Sequence, residues 1–211
     1  MREEVYYLGD LVKREIARFS RGRWVAVHVK TRRGLVFRRY EGSCKKPLTV
    51  SKPGDVERLV ALEARSFYAS ICIYKRLGKQ SDTYDLGNIV AVTPTWDVDV
   101  RSGSWRGALA LTERLVSLLE KLGVYKSVFV KFSGRGFHVH LHQGCFSPKL
   151  LSRIHPLDLA YSVVEYVKDR LKHGETPNLK VKVENKIDLA RVFTCPLSLH
   201  RELDRACVCV N

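Results

Sequence analysis

Acidic residues are the scarce class in this chain. Asp and Glu number 22 against 37 Lys and Arg over 211 residues, a formal net charge of +15 with a sequence pI of about 9.7. Such an imbalance excludes a preference for polycations and points to a polyanionic partner, nucleic acid or nucleotide phosphates. Long apolar runs are absent as well. No stretch reaches the roughly 18 apolar residues of a membrane helix, and the opening MREEVYYLGD is charged and lacks an apolar signal core. The expectation is a soluble, cytoplasmic protein with no membrane partner. The six cysteines stand at 44, 72, 145, 195, 207 and 209, none in a C-x-x-C pair, so no structural zinc is expected and the thiols are expected to be mostly buried. There is no internal repeat and no low-complexity tract. What is present, 45% hydrophobic and 28% charged residues, suits a packed core and argues against disorder.

Periodicity predicts mixed elements. A first helix is expected over Glu3 to Phe19, with Val5, Leu8, Leu11, Val12, Ile16 and Phe19 on one face. WVAVHVK and GLVFRRY, joined at Thr31 to Gly34, read as a hairpin. A helix opened by Asp55 is expected to run to a stop at Gly78, and the polar stretch Lys79 to Asn88 is the best internal boundary. The chain is thus read as one domain, 1–211, with halves 1–88 and 89–211.

IVAVTPTWDVDV then reads as one strand, and Ser102 to Gly107 as a loop. ALALTERLVSLLEKL reads as a helix ended by Gly123. SVFVKF and FHVHLH form two strands around the turn Ser133 to Gly136. Ser147-Pro148 is expected to open one long helix with apolar positions from Leu150 to Leu171, stopped by Gly174. LKVKV, ARVFTC and ACVCV are strands. The class is α+β, helices packed on a largely antiparallel sheet.

Three constellations carry chemistry. In Trp96-Asp97-Val98-Asp99-Val100, alternation puts both carboxylates on one face of a strand. Side by side they repel, and a hard cation such as Mg²⁺ or Mn²⁺ resolves the conflict. An exposed face paired with Lys or Arg is the plainer reading. In the run Ser133 to His142, two glycines let a turn approach phosphate while Arg135 adds charge. His138, His140 and His142 are expected on one strand face, where they read as a zinc site or as solvent-facing histidines, or where His138 forms a phosphate clamp with Ser133 and Arg135. The third run, Glu184 to His200, holds Asp188, Arg191, Ser198 and His200, unremarkable by themselves.

Their order is specific. An apolar D-x-D strand, an S-G turn ending in G-x-H, then an acid followed by R-x-x-x-x-P-x-S-L-H resembles the archaeo-eukaryotic primase superfamily, over roughly Phe67 to Arg201. The resemblance implies an N-terminal α/β half packed on an RRM-like antiparallel sheet half. It implies template-directed nucleotidyl transfer by a two-metal mechanism, primers being made and extended on single-stranded DNA from nucleoside triphosphates. The implied catalytic metal ligands for Mg²⁺ or Mn²⁺ are Asp97, Asp99 and Asp188, with Glu184 the alternative third acid. The implied nucleotide contacts are Ser133, Arg135 and His138, with Arg191, Ser198 and His200 beside them. A primase large subunit is the implied protein partner. The chain departs from the family in lacking a zinc knuckle and in carrying Arg201 where a lysine is usual. A catalytically reduced accessory subunit that binds nucleic acid is the alternative function.

Overall fold

The computed structural model describes residues 3–43, 45–100, 105–172 and 181–210. Cys44, the loop residues Ser102 to Ser104, the expected stop at Gly174 and the start of LKVKV lie outside these residues.

The elements run in chain order as α1 (Glu3–Tyr7), α2 (Asp10–Ser20), β1 (Val25–Thr31), β2 (Gly34–Arg38), β3 (Tyr40–Glu41), β4 (Lys46–Pro47), α3 (Pro53–Val60), β5 (Ala64–Ser70), β6 (Cys72–Tyr74), β7 (Ile89–Val92), β8 (Thr95–Val100), α4 (Trp105–Lys121), β9 (Val128–Phe132), β10 (Phe137–Leu141), α5 (Pro148–Leu151), α6 (Pro156–Lys172), β11 (Val181–Asn185), β12 (Val192–Thr194) and β13 (Val208–Cys209). None of the described helices is long and apolar enough to cross a membrane.

Several boundaries differ from expectation, each for a local reason. The first helix breaks at Gly9, which is extended (φ −61°, ψ 123°). The break resets the helical phase, so Val5, Leu8 and Leu11 are 60%, 64% and 61% exposed while Tyr7, Ile16 and Ala17 are buried. The helix expected from Asp55 to Leu77 ends at Val60, where Glu63 takes a left-handed turn (φ 64°) into β5. Central sheet pairing overrides any helical tendency of ARSFYAS, in which every position but the half-buried Tyr68 is buried and no period is diagnostic. Pro94, lacking an N–H, divides the expected strand IVAVTPTWDVDV into β7 and β8. Pro156 likewise divides the expected long helix, since the residue before a proline avoids the helical region. α4 ends as expected, with Gly123 at φ +81°.

Two compact units form: Met1–Val90 with Leu189–Val208, and Ala91–Asp188 with Cys209–Asn211. The expected halves were contiguous. The chain instead returns to the first unit after Asp188, because β12 completes that unit's sheet by pairing with β5.

In the first unit the sheet order is β12-β5-β1-β2, antiparallel at each junction. The expected hairpin is present, with Thr31 opposite Gly34 and the Thr31 hydroxyl donating to the Gly34 carbonyl at 2.7 Å. Val25, Val27, Val29, Phe67 and Ala69 on one face pack with Ile16, Val56 and Leu59 from α2 and α3. In the second unit β8-α4-β9-β10-α6-β11 forms the split βαβ pattern, with the strands ordered β11-β8-β10-β9 and β13 on the edge. This is the RRM-like sheet expected of that half. Trp96, Val98, Val130, Val139, Leu111, Leu115 and Val164 are buried together under α4 and α6, each contributing about 1.5–3 kcal/mol by burial. Trp96 also donates its indole N–H to the Val164 carbonyl at 3.1 Å.

Candidate active site

With Trp96 and Val98 turned towards the helices, alternation turns Thr95, Asp97 and Asp99 to the other face of the second unit's sheet. Residues directly opposite in an antiparallel pair share a face. The registers place Glu184 opposite Asp97, Asp97 opposite His138, and His138 opposite Lys131. A row of four ionisable side chains therefore crosses β11, β8, β10 and β9. Lys182 stands opposite Asp99 on one side of the row, and Thr95, His140 and Phe129 form the next row on the other.

The two aspartates share a cation, and it is a lysine, the partner of the plainer reading: Lys186, just past the end of β11. Its ammonium bonds Asp97 Oδ2 and lies 3.4 Å from Asp99 Oδ2 and 3.1 Å from Glu184 Oε2. Lys182 takes the other oxygen of Glu184. Hydrogen bonds from Lys182 and then Lys186 hold the Glu184 carboxyl down at about 2. Lys186 is in turn held well above the usual lysine range by Asp97 and Glu184, against the effect of its own burial.

The third acid on Lys186 is thus Glu184. Asp188, half-buried, follows three residues beyond β11 and takes no place in the paired row. Hard carboxylate oxygens converging on one cation are the donor chemistry that Mg²⁺ or Mn²⁺ accepts. Among the described residues, however, no three acids, histidines or cysteines close into a group that could itself hold a metal ion. The carboxylates gather around Lys186 instead.

His138 is buried, with Nε2 3.6 Å from Asp97 Oδ1. Burial, followed by the nearby Lys131 charge, pushes its pKa well below the ordinary histidine value, so the imidazole is neutral at neutral pH. His140 shares its face, bonding Thr95 Oγ1 at 2.8 Å and stacking on Phe129 at 4.7 Å. His142 does not share that face, contrary to expectation. β10 ends at Leu141, and His142 turns to cap the next turn, its Nδ1 accepting from Gly144 N at 3.1 Å.

The turn before His138 lies against the acid strand. A Cβ on Gly136 would stand 2.5 Å from the Val98 carbonyl oxygen, between the two aspartates in sequence, so only glycine permits the approach. Gly134 uses φ +99°. The Ser133 hydroxyl donates to the Gly136 carbonyl at 3.1 Å, closing the turn, and Arg135 stands exposed at its tip.

In the first unit, the expected Ser198 and His200 follow a left-handed Leu197 (φ 59°). Ser198 is fully buried, its Oγ accepting from Phe67 N at 2.7 Å and donating to Leu199 O at 3.2 Å. It pins the segment to β5. His200 Nδ1 accepts from Glu202 N and Leu203 N at 3.1 and 3.2 Å, which leaves Nε2 as the ring's donor when the imidazole is neutral. Arg65 fixes the same loop through the His200 and Leu203 carbonyls and Asp204. Arg191 is half-buried, its carbonyl accepting from Ile71 N.

On the sheet face away from that unit's core, the rings of His28, Phe37 and Tyr68 meet at 4.9, 5.3 and 5.8 Å. Burial and then Arg201 lower the pKa of His28, while burial raises that of Tyr68 to about 12.

Motif reading missed Lys131, Lys186 and this aromatic group. The signal for Lys131 was present: it breaks the apolar run VFVKF, in phase with His138.

No family model and no curated protein sequence matches the chain. Among solved structures, the polymerase domain from Mycobacterium tuberculosis Ligase D in complex with DNA is similar to it, with a TM-score of 0.74 at 14% sequence identity, covering 99% of this chain and 79% of that one. The chain shares the fold of that polymerase domain, a mixed α/β architecture with antiparallel sheets as the motifs led us to expect.

Proposed function

We propose that the chain is a template-directed nucleotidyltransferase that makes and extends primers on single-stranded DNA from nucleoside triphosphates. One observation carries the reading: Asp97, Asp99 and Glu184 converge on a single cation beside the close-packed Ser133–Gly136 turn and His138. The fold likeness to a polymerase domain solved with DNA supports it.

Asp97, Asp99 and Glu184 would hold Mg²⁺ or Mn²⁺, with Asp188 the alternative third acid. Bound there, the divalent ions would neutralise triphosphate charge and activate the attacking 3′-hydroxyl. Neutral His138, behind the acids, can donate to a phosphate oxygen without adding a charge that must be desolvated. Arg135 supplies the cation at the turn's tip, where its fork geometry suits phosphate. Ser133 and Ser198 serve mainly by holding backbone in place, given the bonds their hydroxyls already make. In the first unit, the His28–Phe37–Tyr68 rings offer a surface on which a base can stack, beside Arg201 and His200. The hairpin tip, Arg32 and Arg33, is exposed and suits a phosphodiester backbone.

The second reading, a primase-like accessory subunit without chemistry, is favoured by the seating of Lys186 among the acids. Incorporation of labelled nucleotide on primed and unprimed single-stranded templates, with Mn²⁺ or Mg²⁺, tests both. Incorporation lost in Asp97→Asn and Glu184→Gln supports the enzyme. Loss in Asp188→Asn with Glu184→Gln still active assigns the third acid to Asp188. Binding of template without incorporation supports the accessory subunit. Extension without initiation indicates a missing large subunit.

A further inference from the structure

Lys186 sits where a catalytic cation belongs. Its ammonium is shared by carboxylates from two neighbouring strands, with one contact to Asp97 and others at 3.4 Å to Asp99 and 3.1 Å to Glu184. The site is partly enclosed: the side chains of Lys186, Asp97 and Glu184 are 23%, 12% and 21% exposed. A surface lysine that touches one carboxylate contributes little and moves freely. One held by three carboxylates that otherwise repel one another is different, because its departure takes away the cation that Asp97 and Asp99 share and leaves Glu184 with Lys182 alone of its two lysines. A divalent ion of this class needs its oxygens at about 2.0–2.1 Å, so the acids must draw in around it. An ammonium in the centre blocks that closure by bulk and by like charge.

We propose that Lys186 is the resident cation of the acid cluster and that a divalent metal enters only in exchange for it. The ammonium leaves the carboxylates as the ion arrives, and no bond is made or broken other than these ion pairs. The inference rests on the reading of Asp97, Asp99 and Glu184 as metal ligands. It accounts for the chain's having the acids without a closed metal-ligand group among its described residues. It also gives Lys186 two jobs: stabilising the metal-free fold and setting the metal concentration at which the site fills.

Two measurements on the full chain test this without any activity assay. The first is calorimetric titration with Mn²⁺, alongside thermal melts in chelator, of wild type, Lys186→Met and Lys186→Arg. If Lys186 is seated in nine-tenths or more of metal-free molecules, its removal tightens Mn²⁺ binding at least about tenfold. Lys186→Met is then expected to melt below wild type in chelator and to gain more from Mn²⁺. Lys186→Arg, which keeps the charge, is expected to keep the weak affinity. Mn²⁺ affinity within about twofold of wild type in Lys186→Met, the size of a screened surface charge, overturns the inference and leaves the metal reading standing. No Mn²⁺ bound by either protein overturns both. The second measurement needs no variant. In ¹⁵N-lysine-labelled wild type, one ammonium resonance is expected to be protected from exchange and to vanish on addition of Mg²⁺. Its persistence at saturating Mg²⁺ overturns the inference.

Discussion

Gly136→Ala probes the junction on which the proposed site depends. Gly136 has no positive φ, so alanine meets no backbone penalty there, and the effect is purely one of space. The added Cβ would lie 2.5 Å from the Val98 carbonyl oxygen and 3.7 Å from the Asp99 Cα. Neither is a flexible side chain. The turn or β8 must move apart by several tenths of an ångström or more, at the point where Phe137 pairs with Val98.

Overpacking of this kind costs about 1–3 kcal/mol, and at about 2–4 °C per kcal/mol for a chain of this size the melting temperature should fall by about 2–12 °C. The loss in nucleotidyl transfer should be larger than stability explains, because a shift of about 1 Å between reacting groups costs about 10²-fold. Melting by circular dichroism and single-nucleotide extension at a temperature where the variant is fully folded separate the two effects. Gly54→Ala is the control: it stands in open space in the first turn of α3 and should be neutral or stabilising by about 0.4–1 kcal/mol. A Gly136→Ala protein that melts with wild type and extends primers at the wild-type rate would refute the close-packing argument.

Three further outcomes are expected. Ser198→Ala leaves the buried Phe67 N–H without its acceptor and should cost about 1–3 kcal/mol in urea unfolding; unchanged stability with a raised nucleotide KM would show that Ser198 touches substrate instead. Arg32→Glu with Arg33→Glu should weaken binding of a single-stranded oligonucleotide and flatten its salt dependence by about 0.7 per lost phosphate contact, and an unaltered slope would clear the hairpin of that role. Glu3 is held down at about 2, from an ordinary 4.5, by its bond to Lys30 and the charges of Lys30 and Arg65. Its folded pKa lies below its unfolded one, so its contribution is complete above pH 4.5 and lost as pH falls towards 2. Glu3→Gln should make the acid limb of stability shallower over that window, and superimposable curves for the two proteins would contradict the assignment.

Much of the site was legible because it follows period 2. Asp97 and Asp99 had to share a face, and the turn glycines had to permit a close approach, whatever the rest of the chain did. The hairpin at Thr31–Gly34 and the end of α4 at Gly123 were local in the same sense. The misreadings arise where tertiary pairing decides. β5 is a run of buried residues whose strand character comes from its neighbours β1 and β12, not from its own pattern. The return of Leu189–Val208 to the first unit is a long-range pairing that no local signal announces. Gly9 and Pro156 interrupt helices that the apolar residues on either side of them read as continuous. Lys131 and Lys186 became members of the site only through register across strands, and the same register brings Glu184 beside Asp97.

The central claim, that the acids of β8 support nucleotidyl transfer, is tested most directly by a single substitution. Asp97→Asn keeps size and strand geometry and removes one charge from the cluster. Wild type and Asp97→Asn would be given a labelled oligonucleotide with a free 3′-hydroxyl on a single-stranded template, with one nucleoside triphosphate and Mn²⁺, after circular dichroism has shown equal folding. The account predicts extension by wild type and a loss of about 10²–10³-fold in the variant, the scale on which removing an electrostatic partner of the transition state acts. Extension by Asp97→Asn at the wild-type rate would contradict it.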